Sequence, residues 1–224
     1  PPRSTLFPYT TLSDLNAGTF NGRPNKSLRT IAVVFPIKVG LFVRNDSPIK
    51  SIKDMKGHSV AYGFTSQEII KTTIDAMLAT GGLTVKDMQP VLVPNILRGV
   101  DEFIAGRVDV TTFALGGPKT SEADAAVGGI RWLDLGNDPK AEAALKKEFR
   151  TAYLAEANPA PNIAGLKQPI WTMQYDYTMF ANAKLSDDSV KSLVGMIAER
   201  KDSLAQTSPG FKQMKQRSDR KSVV

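Results

Sequence analysis

"SVAYGFTSQEIIKTTIDAML", residues 59–78, decides how the chain is read. Val60 to Tyr62 form the end of an apolar strand. Gly63 then permits backbone angles that a side chain forbids. Thr65 followed by Glu68 matches a capping box, which marks a helix start. Ile70, Ile74, Met77 and Leu78 recur at helical spacing, and Gly81 and Gly82 stop the helix. The stretch therefore predicts a strand, a tight turn and a helix N-terminus. Such an end attracts anions, because its first N–H groups lack acceptors and the helix dipole is positive there. The hydroxyls of Thr65 and Ser66 and the amide of Gln67 add donors. No Gly-Lys-Ser/Thr follows, so the turn is not a phosphate-binding P-loop, and no GxGxxG is present. A turn that merely starts a helix remains the alternative.

The same alternation continues along the chain. Strand 90–94 leads to helix 95–106, strand 108–115 leads through "GGP" to helix 119–127, and strand 130–135 leads to helix 138–153. Four strand–helix units in a row predict a parallel sheet covered by helices. Upstream, 27–36 and 38–46 read as two strands meeting near Phe35 and Pro36, and 51–57 as a short helix. Residues 156–169 form a Pro- and Gly-rich breaker. Residues 170–184 read as extended. Residues 186–206 read as a helix capped by Ser186, with Val190, Leu193, Val194 and Ile197 as its buried stripe.

Composition narrows the chemistry. The chain has 224 residues, 42% of them apolar, and a net charge of +7. No apolar stretch is long enough to span a bilayer. Cysteine is absent and His58 is the only histidine. Disulfides, thiolate metal sites and a Cys nucleophile are thereby excluded, and no metal or other cofactor is expected. No GxSxG elbow accompanies His58. Basic residues alternate with acids and do not cluster with aromatics, so nucleic acid is not the expected partner; a receptor for anionic solutes fits the charge.

Both ends read as artefacts. Residues 5–12, "TLFPYTTL", are what a common sequencing adapter encodes (ACA CTC TTT CCC TAC ACG ACG CTC). The last six, "DRKSVV", resemble the translated reverse complement. The expected organisation is thus artefact at 1–12 and 218–224, a partial outer lobe at 13–40 and 170–217, and an inserted α/β lobe at 41–169. On this reading a signal sequence has been lost by truncation.

"KSLRTIAVVFPIKVGLFVRNDSPIKSIKDMKGHSVAYGF" (26–64) resembles the strand–hinge–helix passage of periplasmic solute-binding proteins. "FIAGRVDVTTFALGGP" (103–118) and "QYDYTMFANAKLSDDSVKSLVGMIAERKDSLA" (174–205) are similar to segments of TAXI-type receptors of tripartite ATP-independent periplasmic (TRAP) transporters. The resemblance covers most of 27–216. It implies an α/β, type II periplasmic-binding fold, with two lobes of parallel-rich sheets joined by crossing hinge strands and with the first lobe incomplete. It also implies a non-enzymatic, monomeric, periplasmic or extracytoplasmic receptor. That receptor would deliver a small organic anion, a carboxylate or an amino acid such as glutamate, to the membrane permease subunits of the transporter. The family turn usually reads GxPGSGT, whereas this chain has "GFTSQEI".

In such a fold ligands sit beyond the carboxyl ends of strands. The implied ligand-binding residues are Gly63, Phe64, Thr65, Ser66 and Gln67, then Gly116, Gly117 and Pro118, with Tyr175 at the hinge and Phe35 as a pocket wall. Trp171 is a second wall candidate. Three alternatives stay open: a receptor of an ATP-driven importer, including one for a thiamine- or sulfonate-like ligand; the effector domain of a regulator; and an enzyme on the same fold.

Overall fold

The computed structural model describes residues 27–207 and Phe211. Expectations for residues 1–12, 13–26 and 218–224 lie outside them. The fold is mixed α/β, in two compact units: Lys38–Tyr175, and Pro1–Ile37 with Asp176–Val224. The chain passes between the units within two long strands, β1 (Leu28–Arg44) and β7 (Ile170–Asn182). Contrary to the two-strand reading, β1 runs unbroken through Pro36.

In the larger unit, β1 leads through a 3-10 turn, Lys53–Met55, to β2 (Ser59–Gly63). The helix expected at 51–57 is only this turn. Then come α1 (Glu68–Thr80), β3 (Gln89–Val93), α2 (Ile96–Ile104), β4 (Thr111–Ala114), α3 (Pro118–Ala126), β5 (Ile130–Trp132), α4 (Pro139–Glu148) and β6 (Tyr153–Ala157). β2 and β3 are parallel, as the alternation predicts, and Val60 bridges Val110 in parallel. The rest is not parallel. β4 and β5 both pair antiparallel with β1, and β6 pairs antiparallel with β7. The long β1 supplies the ladder that β4 and β5 join, and strand direction is invisible in the alternation of apolar residues. The helix expected to reach residue 153 ends at Glu148, and "YLAEA" becomes β6.

The core gathers on β1. Leu41, Phe42 and Val43 are fully buried, and Phe42 meets Phe103 and Trp132 edge-on, each at 5.1 Å. Ile74, Met77 and Leu78 bury the inner face of α1, which packs on α4 and on β2. Tyr62 of β2 donates its hydroxyl to Asp75 of α1 at 2.6 Å; burial, then that carboxylate, push the phenol up to about 12.

The smaller unit contains the rest of β1 and β7 with α5 (Asp187–Glu199) and α6 (Lys201–Thr207). The single helix expected over 186–206 is interrupted at Arg200. Ser186 caps α5 as expected, accepting from Ser189 N at 3.2 Å. Arg29 bonds Asp187 and the Leu185 carbonyl. Val190, Leu193, Val194 and Ile197 are only half-buried, so the expected buried stripe is not sealed. Among the described residues no helix is long and apolar enough to cross a membrane.

Candidate ligand-binding site

The candidate site grows from the parallel pair β2–β3. Their register, Gly63 opposite Val93, ends both strands at one level. Each then turns directly into a helix. Gly63 has φ +89° and Phe64 φ +46°. Two successive residues with positive φ reverse the chain sharply; that backbone is costly for Phe64, and the full burial of its ring offsets the cost. The turn leaves Thr65, Ser66 and Gln67 exposed.

Hydrogen bonds lock this turn to its neighbour. Ser66 N donates to Pro94 O at 2.9 Å, and Gln67 N to Phe64 O at 2.7 Å. The Gln67 side-chain carbonyl accepts from Ile96 N at 2.8 Å. The starts of α1 and α2 are therefore held side by side. The capping box expected from Thr65 and Glu68 does not form. Gln67 is the N-cap of α1 and makes no side-chain cap bond. The positive φ at Phe64 spends Thr65 and Ser66 on the turn, so the helix starts two residues later than the sequence suggests. The amides of Glu68 and Ile69 keep no intrahelical acceptor. Asn95, which the sequence reading passed over, caps α2 by accepting from Arg98 N at 3.0 Å. A strand followed by Asn and an apolar helical run was the available signal. Thr65→Ala is thus expected to leave urea stability nearly unchanged, whereas Asn95→Ala should cost about 1 kcal/mol.

A third helix start lies beyond β4, whose preceding residue Val110 accepts from Ala61 N at 3.1 Å. Gly116 has φ +75°, Gly117 is the N-cap of α3 and Pro118 is its first residue. Thr120 donates its hydroxyl to Gly117 O at 2.6 Å. Asp101 of α2 links to this end: Lys119 reaches it at 2.7 Å and Arg98 at 3.1 Å. Lys119 also bonds Glu122 at 2.7 Å. The Asp101 carboxylate, then Glu122, hold the Lys119 ammonium above its usual range, and Lys119 holds Asp101 below its own. Turns 63–67 and 116–118 are connected through α2; among the described residues no hydrogen bond joins them directly.

The remaining sequence candidates make contacts of their own. Tyr175 is 9% exposed and its ring meets that of Phe149 at 5.3 Å, tilted by 39°, within the core of the larger unit. Phe35 belongs to the smaller unit, where it meets Tyr177 and Phe211. Trp171 donates its backbone N–H to Asp134. His58, Ser59 and Asp109 adjoin, but His58 Nδ1 and Ser59 Oγ both face the same Asp109 oxygen, at 3.3 and 2.8 Å. With the carboxylate between them, the ring does not receive the serine proton, so this is not a catalytic triad.

The NMT1-like family model matches residues 15–224. No curated protein sequence matches the chain. Among solved structures, the periplasmic aliphatic sulphonate binding protein SsuA from Escherichia coli is 20% identical, with a TM-score of 0.45 over 84% of this chain and 52% of that one. A mutant of the arginine-binding protein ArgBP from T. maritima is 12% identical, with a TM-score of 0.43 over 84% and 61%. The substrate binding protein of an amino acid ABC transporter is 13% identical, with a TM-score of 0.39 over 84% and 61%. The chain spans between half and two thirds of the length of these three structures.

Proposed function

Since this chain belongs to the NMT1-like family, we propose that it is a non-enzymatic, extracytoplasmic solute receptor that captures a small organic anion and hands it to a membrane importer. One observation carries the choice of ligand. The N-termini of α1 and α2 sit side by side at the carboxyl ends of parallel strands, tied by the Gln67–Ile96 bond. The exposed hydroxyls of Thr65 and Ser66 stand at that end. The free amides of Glu68 and Ile69, two adjoining helix starts and two hydroxyls together suit a carboxylate or a sulfonate. We place an ATP-driven importer ahead of a TRAP-type permease as the membrane partner, because the matching family is the NMT1-like one and not the TAXI-type one that residues 27–216 resemble.

The test is isothermal titration with a panel of carboxylates and sulfonates on the full chain and on Ser66→Ala. A hydrogen bond to a charged group is worth roughly 1.5–3 kcal/mol, so Ser66→Ala should bind at least about tenfold more weakly. Its melting temperature without ligand should match the parent's, since Ser66 caps no helix. Equal affinity in the two proteins would move the anion away from this turn.

A further inference from the structure

The larger unit leaves large apolar side chains in water at one place. Among its described residues, Leu92 at 77% and Leu97 at 51% are the only exposed ones. A single exposed leucine is ordinary on a protein surface. These two, however, fall in one run, "LVPNIL" (92–97), from the end of β3 into the first turn of α2. Both border the turn 63–67. Leu92 stands opposite Tyr62 in the β2–β3 register, and its Cδ2 lies 3.0 Å from where a Cβ on Gly63 would be. Leu97 follows Ile96, whose N–H is held by the Gln67 side chain at 2.8 Å. Pro94, exposed between them, accepts from Ser66 N at 2.9 Å.

We propose that Leu92 and Leu97 receive a saturated hydrocarbon chain of the solute, so that the protein favours alkyl acids over short or polyhydroxylated ones. This assignment rests on the receptor reading above. The anionic head belongs to the turn and the helix starts, and the chain runs from it onto the leucines. Both side chains present methyl groups and no hydrogen-bonding atom, so binding there is driven by apolar surface withdrawn from water. A polar substituent would lose its own water at that place and find no partner. The patch is too small for a protein partner. Two leucines and a proline fall far short of the roughly 20–30 residues a side of a stable interface, and charged residues flank them, Glu68 at the start of α1 and Arg98 beside Leu97. An alkyl chain matches its size, and the adjoining turn supplies the anchor.

Isothermal titration of the full chain with acetate, butyrate and hexanoate tests this, since the head group stays constant. A methylene taken fully out of water tightens binding about fourfold, so each step of two carbons should gain about tenfold. Leu92→Thr and Leu97→Gln should each cut that gain to about threefold or less and leave acetate binding unchanged. Leu92→Ile should keep it. Melting temperatures without ligand should match the parent's, because both side chains are already exposed. A fall of more than about 5 °C would make the leucine structural and overturn the assignment. So would a gain per step in Leu92→Thr and Leu97→Gln equal to the parent's, or a parent dimer in sedimentation that Leu92→Thr dissolves. Acids that bind the parent equally whatever their length would overturn it while leaving the anion site standing. If none of the three binds but other carboxylates or sulfonates do, this assignment alone fails; if no anion binds, the receptor reading fails and takes it along.

Discussion

Gly165→Ala is expected to destabilise the larger unit by about 3–4 kcal/mol, the sum of a strained backbone, a steric clash and a lost hydrogen bond. Gly165 has φ +73°, which an alanine adopts only at a cost. A Cβ there would stand 2.5 Å from Ile130 Cγ1 and 2.7 Å from Ile130 O. The carbonyl cannot retreat. Ile130 is paired to Arg44 in the β1–β5 ladder, and its own N–H is held by Asp124 at 2.8 Å. The segment around Gly165 must lift instead. That breaks the 2.7 Å bond from Trp132 Nε1 to Ala164 O and exposes Leu166. It also withdraws Asn162, whose side chain and carbonyl pack over Gly116 at the start of the third helix site. Urea unfolding followed by tryptophan fluorescence reads both effects, with the Trp132 emission shifting to the red before the main transition. A variant as stable as the parent would mean this segment is not seated on β5.

Gly99→Leu is the second large effect, and it couples packing to binding. A Cβ at Gly99 would lie 3.2 Å from Ala61 Cβ, 3.3 Å from Thr111 Oγ1 and 3.5 Å from Phe64 Cε1. Glycine is what lets α2 lie this close to β2 and to the buried ring under the turn. Alanine should be tolerated at about 1 kcal/mol, with small adjustments of these neighbours. Leucine must push α2 outward. Val100 and Phe103, both fully buried, then lose packing. The expected destabilisation is about 3 kcal/mol. The displaced helix also pulls Ile96 from the Gln67 carbonyl, separating the two helix starts. Any acid that binds the parent should therefore bind Gly99→Leu undetectably at a temperature where the variant is still folded. Retained binding would show that the α2 end is not part of the site.

Much of the candidate site was legible in "SVAYGFTSQEII", because strand, glycine and helical period follow one another without interruption. The helix start was misplaced by the one feature that no propensity scale carries, a buried phenylalanine at positive φ. Gln67 was picked out for its amide, but its use in fastening Ile96 depends on the β2–β3 register, and register is a tertiary fact. The direction of β4 and β5 was hidden for a similar reason: alternation says that a strand exists, not which neighbour it joins. The helix expected over 138–153 overran Glu148, and the strand at 153–157 went unread because its Leu, Ala and Glu carry little strand preference. Pairing with β7 makes it a strand, with Leu154 and Ala157 buried in the ladder. Tyr175 and Phe35 were assigned to one pocket by analogy with a family; Tyr175 meets Phe149 in the larger unit, and Phe35 meets Tyr177 and Phe211 in the smaller one.

The central claim is that the paired ends of α1 and α2 hold the anion of the solute. Backbone-amide NMR during titration with the tightest-binding acid of the panel tests it most directly. The largest shifts should fall on the amides of residues 65–69 and 96–98, with saturation at the affinity found by calorimetry. Saturable binding that leaves those amides unmoved would contradict the account.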